Sequence, residues 1–184
     1  GPTDTGVVAA STANQITVSA SVDETLTFCV YTGANCAASG STVALGTLST
    51  SSTSSGTSKM DAATNSTSGY AITYTGATLT SGANTITALS GAASSTGSSQ
   101  YGFNLKANTT PSVGSNVTGS GSGTAQTGYN TADSFKFLTG DTVASASGQT
   151  DSNTYTASYI ANISNTTNPG TYTSTITYIC TATY

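Results

Sequence analysis

The chain has 184 residues, with Lys+Arg 3 against Asp+Glu 7, a formal net charge of −4 and only 5% charged residues. That length suits one packed domain, and the absence of a basic stripe excludes ordinary phosphate-backbone binding, so no nucleic acid partner is expected. With no histidine there is no Ser-His-Asp or Cys-His pair and no imidazole metal ligand.

Ser, Thr, Gly, Ala and Asn fill the space between short apolar runs, while Tyr 10 and Phe 4 recur along the chain. Such a chain has enough aromatic and β-branched residues to fold, and the expectation is an all-β protein. No apolar run approaches the roughly 20 residues of a membrane helix, so no membrane span and a soluble mature chain are expected. Gly1-Pro2 reads either as the scar of a cleaved tag or as a terminus left by signal removal.

Residues 1–14 read as a flexible N-terminal segment or donor strand, and residues 15–184 as a single antiparallel β-sandwich of the immunoglobulin or pilin-like Greek-key type. About ten short strands are predicted, over 15–22, 25–31, 42–48, 57–63, 69–76, 84–89, 100–107, 134–138, 141–146, 153–163 and 171–184. In 25–31 the apolar face is Leu26, Phe28 and Val30, which turns Cys29 to the opposite face, toward the loop "VYTGANC" that returns Cys36. A Cys29–Cys36 disulfide fits that spacing. "STSSTSSGTS" (49–58) and "PSVGSNVTGSGSGTAQTG" (111–128) have linker-like composition and are read as long exposed loops. "GYNTADSF" could open a helical turn but is read as a loop.

Two runs near the end alternate with period two. Tyr155, Ala157, Tyr159, Ala161 and Ile163 share one face of the first; Tyr172, Ile176, Tyr178, Cys180, Ala182 and Tyr184 share one face of the second, with threonines opposite. Threonine is a suitable outer-face residue for a strand that avoids charge, because it is β-branched and presents a hydroxyl. Between the runs, "SNTTNPG" supplies Pro169 and Gly170 for a turn, which predicts a terminal antiparallel hairpin. Cys180, alternating with Tyr178 and Ala182, reads as a free buried thiol acting as a small hydrophobe; an intermolecular bridge or a Cys36–Cys180 pairing are the competing arrangements.

No catalytic centre is expected. None of Lys59, Lys106 and Lys136 sits in an S-x-x-K. Among the acids Asp4, Asp23, Glu24, Asp61, Asp133, Asp141 and Asp151 spacing singles out no pair except adjacent Asp23-Glu24, and "DSN" from Asp151 lacks the twelfth-position Glu of a calcium loop, so both read as solvated turn residues. No cofactor or metal is implied. Five Asn-x-Ser/Thr triplets, at Asn65, Asn108, Asn116, Asn162 and Asn165, are within chance for this composition.

"LTFCVYTGANC", "VALGTLST", "SGYAITYTGATLTSGANTITAL", "SQYGFNLKANT", "GYNTADSFKFLTGDTVA" and "NPGTYTSTITYICTATY", in this order, resemble uncharacterised secreted surface proteins of the reduced-genome candidate bacterial phyla. That resemblance implies an exported cell-surface β-protein and carries no activity with it. More distantly, "VALGTL" and the closing segment are similar to spore-coat-U and chaperone–usher pilin subunits, which implies polymerisation by strand donation, with residues 7–22 as the donor.

The expected function is therefore a non-enzymatic, extracellular or cell-surface structural or adhesive protein, extending to a filament subunit assembled by strand addition, since an edge strand with few charges is poorly protected against pairing. The alternative is a binding module whose Thr-x-Thr faces meet ice or a polysaccharide, with Tyr70 and Tyr74 as sugar platforms only if exposed.

Overall fold

Two-residue alternation builds both layers of the molecule. The computed structural model describes residues 1–38 and 40–183. Among them lie β1 (Leu26–Tyr31), β2 (Ser54–Thr64), β3 (Tyr70–Gly76), β4 (Thr80–Ser81), β5 (Asn84–Thr85), β6 (Ser90–Ala92), β7 (Gln100–Asn104), β8 (Thr118–Gly119), β9 (Thr124–Ala125), β10 (Phe135–Lys136), β11 (Thr142–Ala146), β12 (Thr150–Asn162) and β13 (Ile176–Ala182), and no helix. Sheet A has the order β1-β2-β12-β7-β10-β6, with β8 added to β12; sheet B has the order β13-β3-β11-β9; β4 and β5 form a small ribbon. The pairings between strands are antiparallel, giving an all-β sandwich.

The core is tyrosine-rich, and this sets its chemistry. Sheet A turns Met60 and Ala62 of β2 and Tyr155, Ala157, Tyr159 and Ala161 of β12 inward; sheet B turns Tyr70, Ile72 and Tyr74 of β3 to meet them. A buried phenol hydroxyl needs a partner, and here tyrosines supply one another. Hydroxyls share hydrogen bonds in the pairs Tyr70–Tyr155 (2.8 Å), Tyr159–Tyr178 (2.7 Å) and Tyr74–Tyr129 (3.1 Å), the first two joining β12 to sheet B. Around them Tyr74 meets Phe103 edge-on with ring centroids 5.0 Å apart and Phe137 at 5.4 Å.

The predicted terminal hairpin does not form. β12 lies at the centre of sheet A between β2 and β7, whereas β13, among the described residues, pairs only with β3 in sheet B. The connection, residues 163–175, is far longer than the two to five residues of a hairpin loop. It is also held elsewhere, because Thr173 and Thr80 exchange backbone hydrogen bonds of 2.9 Å in both directions. The two tyrosine faces do meet, but across the sandwich rather than along a sheet.

The first linker-like stretch is corrected, and the second is a loop tied to the sheets. β2 begins at Ser54, inside the predicted 49–58 loop, and Gly56 stands opposite Tyr159 in the register. Small residues there leave room for large neighbours: a Cβ on Gly56 would press on Val43 and Leu45. The 111–128 stretch folds down on β12 instead of running free. It contributes β8 and β9, Ser115 shares a 2.8 Å hydrogen bond with Thr156, and the Gly123 amide donates to Asn153 Oδ1 at 2.8 Å. Its glycines serve close approach rather than flexibility. An added Cβ would strike Ser158 at Gly114, the Asp151 carbonyl at Gly121, and the Tyr155 and Tyr70 hydroxyls at Gly123.

Replacing Gly123 by Ala therefore drives a methyl into the Tyr70–Tyr155 pair. Urea unfolding should show a loss of about 2 kcal/mol, within the range for overpacked cores. An unchanged midpoint would mean that this loop does not seat on the sandwich.

Candidate functional site

The predicted strand at 15–22 is absent. Residues 1–22 are exposed throughout and form no strand, so the sheets begin at β1. Yet 15–22 has strand chemistry: Ile16, Val18, Ala20 and Val22 alternate with Thr17, Ser19 and Ser21, and none of the eight residues is charged. Ile16 is 86%, Val18 89% and Val22 87% exposed. An uncharged alternating run lying wholly in water is a strand without a sheet.

The predicted strand at 42–48 is also unpaired, for a different reason. Val43, Leu45 and Leu48 pack against the main core from a half-buried position, with Val43 and Leu45 over Gly56 of β2. However, the backbone of 42–48 makes no hydrogen bond to any described residue; the last bond before it joins the Thr32 amide to the Gly40 carbonyl at 3.1 Å. Gly46 at φ 71 breaks the extended run. An isolated glycine inside a strand pattern is the one sequence signal that could have warned of this.

Facing that segment is the outer edge of sheet B. β13 has β3 on one side, and its other edge pairs with no described strand. Between 42–48 and the 167–178 stretch lies a cavity of about 900 Å³, lined by Val43, Leu45, Tyr101, Tyr159, Tyr172 and Tyr178 among others, with no charged residue in its wall. At its floor the Tyr159 hydroxyl bonds Ser58 at 2.9 Å and Tyr178 at 2.7 Å. Burial is the main reason both phenols titrate above their ordinary range, and the cavity wall is neutral at physiological pH.

The cysteines separate as the strand faces require. Cys29 and Cys36 are joined, with Cα atoms 6.0 Å apart, and Cys180 is free. Cys29 stands opposite Asp61 across the β1–β2 pair. Tyr31 donates to Asp61 Oδ1 at 3.1 Å, and Cys36 Sγ lies 3.4 Å from Asp61 Oδ2. Cys29, Cys36 and Asp61 are close enough for a metal, but the bond between the sulfurs leaves no thiolate to ligate one. Closing so short a loop constrains the unfolded chain by about 2.5 kcal/mol, so reduction, or Cys36→Ser, should lower the melting temperature by several degrees.

Cys180 is on the inner face of β13, as its alternation predicts, but half-buried rather than enclosed, because β13 is an edge strand. Burial pushes its thiol up to about 11, which keeps it protonated and poorly nucleophilic.

The acids are engaged singly. Asp133, at φ 58, accepts from the Thr109 hydroxyl (2.6 Å) and the Thr109 and Thr110 amides (2.8 Å each), bonds that lower its carboxyl below the usual range. Asp141 pairs with Lys136 at 2.6 Å and accepts from Tyr129 at 3.0 Å. Of the five Asn-x-Ser/Thr triplets, Asn108 and Asn162 are buried, which closes them to modification of the folded chain.

Threonine faces are only partly contiguous. On the outer face of sheet B, Thr75 stands opposite Thr177, and Thr73 opposite Thr142 and Ile179. Thr156 is buried on sheet A, and Tyr70 and Tyr74 are fully enclosed, which removes both as sugar platforms.

No family model, curated protein or solved structure matches this chain. Its class is set by the fold: an all-β antiparallel sandwich with a disulfide and an apolar cleft beside the β13 edge of sheet B. No helix among the described residues is long and apolar enough to cross a membrane.

Proposed function

We propose that the protein is a non-enzymatic structural or adhesive component of a cell surface that assembles by adding a strand from one copy to the sandwich of the next. The observation that carries this is the mismatch within one chain: an uncharged alternating segment, 15–22, with no sheet, and a sheet edge, β13, with no strand. At about 3.3 Å per residue the donor spans roughly 26 Å, enough to cover the seven residues of β13. Both the segment and the cleft wall are uncharged, so burial exacts no ion desolvation.

The disulfide supports an oxidising compartment, in keeping with export. The resemblance to secreted surface proteins points the same way.

Size measurement by light scattering and negative-stain microscopy of the full chain test this. Oligomers should lengthen with concentration and time. Monomer at all concentrations, with residues 15–22 packed on their own β13, would reject assembly.

The second reading, display of threonines to ice or a polysaccharide, is favoured only by the Thr75–Thr177 and Thr73–Thr142 neighbours on sheet B. Thermal hysteresis or retention on a glycan array would establish it, and the absence of both would dismiss it.

A further inference from the structure

The 42–48 segment presents a puzzle that strand addition at β13 alone does not resolve. Its side chains hold it against the core, with Val43 and Leu45 over Gly56. Its backbone, however, pairs with nothing described. Its amides and carbonyls are left to water, a row of free donors and acceptors that a neighbouring strand could pair. The cavity puts that neighbour's place on the map, since the same space is walled by 42–48 on one side and by Ile176 and Tyr178 of β13 on the other. Two segments with unpaired backbone thus line the same space of about 900 Å³. That space is at the upper end of what ligand clefts enclose, and it exists with 42–48 already in position, so side chains can enter without expelling the segment.

We propose that the cleft clamps its occupant from both sides: residues 15–22 of a second copy lie between β13 and the 42–48 segment, hydrogen-bonding to both, and the segment becomes a strand only when the donor arrives. This rests on the strand-addition reading above and says what the acceptor does. Sheet B then gains two strands, the donor and residues 42–45, and Gly46 at φ 71 ends the pairing. Ile16, Val18, Ala20 and Val22 face inward onto Tyr101, Tyr159 and Leu79, while Thr17, Ser19 and Ser21 continue the hydroxyl-bearing outer face. The occupant is the chain's own segment because it is uncharged, alternating and as long as the edge it covers, and because its own sandwich leaves it in water.

Hydrogen exchange followed residue by residue tests the clamp on the dilute full-length protein, with and without a synthetic peptide of residues 14–23. The clamp predicts that amides in both β13 and 42–45 slow at least about tenfold when the peptide binds. Slowing in β13 alone, or faster exchange in 42–45, would show that the segment is a bystander or is displaced, and would overturn the clamp while leaving strand addition intact. No slowing in either would overturn strand addition, and the clamp with it. The double variant Val43→Ser/Leu45→Ser gives an independent sign. Loosening a clamp wall should weaken peptide binding about tenfold, whereas loosening a segment that must be expelled would strengthen it.

Discussion

Raising the pH from 10 toward 12 should unfold the protein cooperatively, with tyrosinate formation and loss of structure following one curve. Tyr74 titrates near 10 in an open chain and is pushed up to about 12, chiefly by burial, and Tyr70, Tyr101, Tyr129, Tyr155, Tyr159 and Tyr178 are all raised with burial as the leading cause. Above pH 10 the unfolded chain loses phenolic protons that the folded chain retains. The unfolded state then binds fewer protons, and stability falls with rising pH. The contribution is whole below the unfolded value and is lost as pH climbs through the folded ones.

For Tyr74 alone, the rise from 10 to about 12 corresponds to roughly 3 kcal/mol. A few such groups acting together rival the ~5–15 kcal/mol that holds an ordinary domain together. Tyrosinate absorbance from most of the ten tyrosines rising near pH 10 with the fold intact would show that the enclosed phenols are solvated, and the core described above would be wrong.

The second large effect concerns assembly. Val18→Asp places a carboxylate at the centre of the donor face, where the cleft offers Tyr101, Tyr159 and Leu79 and no cation in its lining. Burying an unpaired carboxylate is strongly unfavourable, so association should weaken at least ~100-fold, about 2.7 kcal/mol. The monomer should be indifferent, since Val18 is 89% exposed and surface changes of this kind usually stay within about 0.5 kcal/mol. Sedimentation velocity and thermal melting of the variant separate the two effects. Unimpaired assembly would place the contact elsewhere.

Strand faces were legible in the sequence, and strand partners were not. Alternation assigned Tyr155, Tyr159, Tyr178 and Cys180 to the interior and Cys29 to the outer face, because side-chain direction is a property of the strand itself. Pairing depends on what lies far along the chain. Nothing local to "SNTTNPG" reports that Thr173 will bond Thr80, and so the two tyrosine runs were expected side by side instead of in opposite sheets.

Composition misled at the glycine- and serine-rich stretches. Gly56, Gly114 and Gly123 are small because Val43, Ser158 and Tyr155 press against them, a reason that exists only in the folded molecule. The cleft was invisible for a related reason. Residues 15–22 and 42–48 both satisfy the strand pattern, and only the three-dimensional arrangement shows that one has no sheet and the other no neighbour.

A reconstruction of the assembled protein by electron cryomicroscopy addresses the central point most directly. The predicted map shows backbone density for residues 15–22 of each subunit running along β13 of the next, with Ile16 and Val18 in the apolar cleft. Subunits touching through other surfaces, with that segment still free and the cleft still open, would contradict it.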